Sequence, residues 1–155
     1  MKRILLYIIV MAAALVVPER GTDVGELIPV ELVFLYKDEG AIVLETDTGN
    51  MGRGETLEAA YADLEDTAPG VIFLDAADYL LVARSVRTLA PQMAEYMKTG
   101  SRICQAEKGI DLTLAAQYLN VHPSEVKLKE VEAATELPVL KQEKYGEKII
   151  LKICN

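Results

Sequence analysis

Two hydrophobic rhythms alternate along this chain. Val30–Tyr36 and Ala41–Thr46 are β-rich runs joined by Lys37-Asp38-Glu39-Gly40, and a short glycine-containing loop between such runs reads as a hairpin. Gly49-Asn50-Met51-Gly52-Arg53-Gly54 follows and reads as a glycine-punctuated loop. From about Thr56 the period changes. Leu57, Ala60, Tyr61, Leu64 and Ala68 fall on one helical face, with Glu55 and Glu58 near the positive N-terminal end and Pro69-Gly70 as the stop.

Val71–Leu74 and Tyr79–Val82 are apolar runs split by Asp75-Ala76-Ala77-Asp78, and the second reads as a buried strand. A second helix is predicted over Ser85–Lys98, with Val86, Leu89, Ala90, Met93 and Met97 facing inward. Pro91 fits there if Thr88 caps its main part, since proline is tolerated in a first turn. Arg102–Ala106 reads as a strand, and Asp111 caps a third helix carrying Leu112, Ala115, Ala116 and Leu119. Val126–Leu128 is a further candidate strand. Leu137–Lys141 and Lys148–Cys154 form a closing hairpin around Lys144-Tyr145-Gly146. Strands and helices alternating after an initial hairpin predict an α/β (α+β) fold. The expected form is a single-domain sandwich of a mixed β-sheet with about three helices.

Ahead of that domain, Met1-Lys2-Arg3 is basic and Ile4–Val17 is unbroken apolar sequence, ended by Pro18-Glu19-Arg20-Gly21. This is the layout of a secretory signal. As a helix the run would be about 21 Å long, short of the roughly 30 Å hydrocarbon core. An uncleaved marginal anchor, a signal with an A-x-A cleavage option at Ala12 and Ala14, and a buried first strand or helix of a cytoplasmic protein are the three readings of the run. Residues 1–21 are therefore read as signal or anchor and 22–155 as one domain, placed outside the cytoplasm.

Composition narrows the function. The net charge is −8 and the pI about 4.7, which argues against binding nucleic-acid phosphates or anionic lipid through a polybasic surface. Cys104 and Cys154 are the two cysteines, and outside the cytoplasm they form a candidate disulfide if the fold brings them together. One histidine, His122, leaves no zinc set, and no metal or cofactor is expected.

Candidate chemistry is sparse. The Gly49–Gly54 pattern matches neither the dinucleotide fingerprint nor a P-loop, and Glu55 and Glu58 would repel a phosphate there. Asp63 and Asp66 lie off the apolar stripe of their helix. Asp75 and Asp78 bracket a turn, where aspartate has local hydrogen-bonding roles. No nucleophile elbow or cysteine–histidine pair is present in the sequence. The best ligand or partner positions are Gly52, Arg53 and Gly54 in the loop, with Asp75 and Asp78 in the turn.

Arg53-Gly54-Glu55-Thr56-Leu57-Glu58-Ala59-Ala60, the helix it opens and the apolar runs to Val82 resemble the N-terminal domain of the spore germination receptor C subunit, the Ger(x)C family. Ile103–Gly109 before the Asp111 helix, Asp23–Leu27 before the first hairpin and the closing hairpin are similar to that family in order. The likeness spans about residues 22 to 153. Family members carry a lipid-bearing cysteine after the leader, where this chain has Pro18-Glu19-Arg20-Gly21, and they continue for two more domains. The resemblance implies a stand-alone, non-enzymatic relative of the first domain, meeting integral membrane protein subunits of a germination or sporulation complex. It carries no catalytic residues over. The alternative is an exported small-molecule or peptide binder of the cell envelope, with a pocket near the Gly49–Gly54 loop and the Asp75–Asp78 turn.

Overall fold

The computed structural model describes residues 27–146 and 148–154; the leader-like run and Asp23–Glu26 lie outside them. Two strands open the main sheet. β2 (Leu32–Asp38) and β3 (Ala41–Thr46) pair antiparallel from Asp38↔Ala41 to Val33↔Thr46. Glu39 and Gly40 both have positive φ, 48° and 92°. That is the two-residue turn whose twist matches paired strands.

β4 (Met51–Gly54) adds to β3, and helix α1 (Leu57–Thr67) follows. Thr56 is the N-cap, its side chain accepting from the Ala59 amide at 3.1 Å. β6 (Tyr79–Val82) lies beside β2 in parallel, and β7 (Arg102–Ala106) beside β6. Asp111 caps helix α2 (Leu112–Val121) through the Leu114 amide at 2.9 Å, as the sequence predicts. β8 (Val139–Tyr145) then runs parallel to β7, and β9 (Lys148–Cys154) returns antiparallel to β8. The seven-stranded order is β4-β3-β2-β6-β7-β8-β9. A separate small sheet pairs β1 (Leu27–Pro29) with β5 (Val71–Phe73).

Alternation along the central strands sends side chains to two cores. Val33, Leu35, Leu44, Leu80, Val82 and Ile103 face α1 and the 3-10 segment Arg84–Glu95. Leu32, Phe34, Val43, Leu81 and Cys104 face α2 through Leu112, Ala115, Ala116 and Leu119. Helical layers therefore cover both faces of a mixed sheet, the predicted α+β class. Each fully buried leucine here contributes about 1.5–3 kcal/mol of transfer free energy.

Three expectations change. The 85–98 segment is 3-10 rather than α-helical, because Val86 (φ −121°, ψ 16°) interrupts it and Pro91 removes a backbone donor inside it. Val86, Ala90, Met93 and Met97 still face the core as the period required. Val126–Leu128 makes one bridge, Arg102↔Lys127, and passes into a 3-10 turn at Leu128–Glu130. The Gly49–Gly54 stretch is mostly strand, since β4 occupies Met51–Gly54.

Candidate functional site

The five sequence-selected positions do not form one site. Gly52 and Gly54 sit on β4 with α1 pressed against them. A Cβ on Gly52 would lie 2.1 Å from the Ala60 carbonyl oxygen, and one on Gly54 would lie 2.5 Å from the Ala60 amide. The glycines are there for helix–strand approach, and the space beside them is filled. Arg53 points outward to the β2–β3 turn, where its guanidinium donates to the Asp38 carbonyl and the Glu39 carboxylate, both at 3.1 Å. Its backbone amide donates to Asp63 at 2.7 Å. Asp63, off the apolar stripe of its helix, thus ties α1 to the sheet edge.

Asp78 lies at the opposite end of the sheet. It precedes Tyr79, which pairs with Leu32 at the start of β2, whereas Arg53 contacts the turn after Asp38 at the end of β2. The length of β2 separates them by roughly 20 Å at about 3.3 Å per residue. Asp78 accepts from Lys98, and Asp75 is exposed in a short 3-10 turn, Leu74–Ala76. Arg53 and Asp78 are therefore too far apart to line one pocket.

The cysteines are also apart. Both are free. Gln105 of β7 pairs with Val139 of β8, which pairs with Cys154 of β9, so two strand spacings separate Cys154 from the strand bearing Cys104. That is about 9.5 Å, beyond the roughly 7 Å a disulfide can bridge. Burial pushes the Cys104 thiol up to about 11, opposed by a hydrogen bond with Ser124, so it stays protonated and unreactive at neutral pH. His122 caps the end of α2, exposed and 4.8 Å from the Tyr118 ring.

Charged groups at the C-terminal end of β2 compensate one another. Lys108 pairs with Asp38 and lies 5.7 Å above the Tyr36 ring, while the Tyr36 hydroxyl donates to Glu45 at 3.1 Å. Burial, and then the Glu45 charge, push the Tyr36 hydroxyl up to about 12. The hydrogen bond from Lys108 holds the Asp38 carboxyl below its ordinary range. Among the described residues no buried side-chain nitrogen or oxygen lacks a partner, and no group of three His, Cys, Asp or Glu side chains could hold a metal.

The unsatisfied surface is at the other edge of the sheet. β4, a four-residue edge, is short and carries α1 on one face. β9 is a seven-residue edge, and among the described residues no strand pairs with its outer side. Beyond Leu140 the β8–β9 hairpin leaves the core. Tyr145 is 62 %, Ile149 39 % and Ile150 48 % exposed, an unusual accumulation on one hairpin. Two open grooves border it. One, of about 380 Å³, is lined by Pro123–Val126, Glu136–Pro138 and Ile153. The other, of about 360 Å³, lies between Glu107–Ile110 and Leu140–Glu143. Sequence reading placed this hairpin correctly but not at an edge, because strand order is a non-local property.

No protein-family model, curated protein or solved structure matches this chain.

Proposed function

We propose that this chain is a non-enzymatic protein–protein contact domain of the bacterial cell envelope, meeting its partner through the β8–β9 hairpin. One observation carries the reading: a seven-residue edge strand with no strand on its outer side among the described residues, flanked by exposed Tyr145, Ile149 and Ile150. Exposed, long, apolar edges template pairing with another chain, and proteins that do not use them shorten or cover them. The opposite edge is short and packed by a helix; among the described residues this one is long and is guarded by two lysines, Lys148 and Lys152, alone. The basic-then-apolar sequence of residues 1–17 and the ordered likeness to a receptor subunit support an envelope location and a membrane-complex partner.

A photo-crosslinking residue at position 150 on β9, compared with position 51 on β4, tests this in the full chain expressed in its own cells. Both positions are about half exposed. Discrete crosslinked species from position 150 and not from 51 are expected. Equal, diffuse capture from both positions, or capture from 51 alone, would sink the reading.

A further inference from the structure

The hairpin's two faces differ, and the difference specifies what can lie against β9. On one face, Ile149, Leu151 and Ile153 form an apolar row, the last two leaning on the α2 core. On the other stand Lys148, Ile150, Lys152 and Cys154, with Lys141 of β8 directly opposite Lys152. Like charges opposite one another on paired strands are destabilising. Glu143 lies diagonal to both β9 lysines, yet its carboxylate accepts from the Tyr145 hydroxyl at 2.8 Å and makes no ion pair with either lysine among the described residues. Over residues 139–154, Lys141, Lys144, Lys148 and Lys152 outweigh Glu143 and Glu147, giving net +2 on a chain of net −8. The hairpin is a basic island on an acidic protein.

We propose that the outer edge of β9 receives an extended acidic strand from another protein, alternating carboxylate with apolar side chains. The inference rests on the contact reading above and adds the chemistry of the partner. Main-chain hydrogen bonds would continue the sheet, apolar residues would extend the Ile149–Leu151–Ile153 row, and carboxylates would stand opposite Lys148 and Lys152. A second copy fits worse. Antiparallel self-pairing centred on Leu151 stacks the apolar row well, but it places Lys152 diagonal to Lys148 and Lys152 of the other copy, beside the existing Lys141. Lysines on an edge repel copies of themselves while leaving it open to an acidic strand. An anionic membrane fits worse too, because the apolar row runs down the strand towards the core, where Leu151 and Ile153 are already packed.

The test uses the full chain and two synthetic peptides about eight residues long, the span of a strand. One alternates Val with Glu and the other Val with Lys. The Val/Glu peptide is expected to bind, to slow hydrogen exchange in β9, and to bind at least about fivefold more tightly than the Val/Lys peptide at low salt. Reversing the two exposed lysines, Lys148→Glu with Lys152→Glu, should invert that preference with the circular dichroism spectrum unchanged. Equal binding, no binding of either peptide, self-association of the chain in sedimentation, or protection of β9 by phosphatidylserine vesicles instead of the peptide would each overturn the proposal. Crosslinking from position 150 would be untouched by these results, so a contact surface with a different partner chemistry would still be recognised.

Discussion

Gly52→Ala tests why two glycines flank Arg53. The added methyl would meet the Ala60 carbonyl oxygen at 2.1 Å, the Leu64 amide at 2.4 Å and the Leu64 Cβ at 2.5 Å. Backbone atoms cannot swing aside as a long side chain can, so α1 must lift from β4 by about 1 Å or more to restore ordinary contact near 3.4 Å. Leu57, Ala60 and Leu64, all buried, would be unpacked together. Overpacking of this kind costs about 1–3 kcal/mol, and rigid backbone on the far side puts the expected loss at or above about 3 kcal/mol. Gly40→Ala is the control. Its Cβ meets nothing within 4 Å, and only the φ of +92° opposes it, at a cost of about 1 kcal/mol. Urea denaturation followed by circular dichroism separates the two through the midpoint at constant slope. A Gly52→Ala midpoint no lower than that of Gly40→Ala would refute the close-approach explanation.

Three further outcomes follow from other parts of the structure. At pH 8 a thiol reagent should modify Cys154 quickly and Cys104 only on unfolding, and oxidation should give no internal disulfide; rapid labelling of both thiols would contradict the burial of Cys104, and a disulfide between them would contradict the strand order. Asp47→Ala should lose about 1–2 kcal/mol, because the carboxylate accepts from the Glu31 and Leu32 amides at 3.2 and 3.3 Å and their partners vanish. Asp47→Asn, which keeps an acceptor and removes the charge whose burial raises the Asp47 pKa, should cost less, as paired denaturation curves would reveal. Tyr36 and Tyr61, both pushed up to about 12, chiefly by burial, favour the neutral hydroxyl in the folded state. Their contribution is full below about pH 10 and lost as pH rises towards 12, so Tyr36→Phe should flatten the alkaline limb of a stability–pH profile.

Much of the fold was legible because local signals agreed with the tertiary answer. The β2–β3 hairpin has continuous apolar runs on either side of Glu39-Gly40, and Thr56 and Asp111 stand where helix caps belong. β4 was not legible, since Met-Gly-Arg-Gly lacks strand propensity and is held by α1 packing on it. Pro91 shows a limit of periodicity: the inward positions were right while the helix type was wrong. The sequence-selected site failed for a topological reason. Glycines at β4 and aspartates before β6 are close enough in the chain to suggest convergence, yet strand direction sends them to opposite ends of β2. The exposed edge needed strand order, which places β9 last although β4 is the other margin.

Hydrogen exchange of the β9 amides tests the central claim most directly. Alternate amides of an edge strand point away from its neighbour. In the purified chain the outward amides between Ile149 and Ile153 should exchange fast, and in the chain's own envelope fraction they should become protected while β4 is unchanged. Protection already complete in the purified protein, or none gained in the envelope fraction, would contradict partner pairing at this edge.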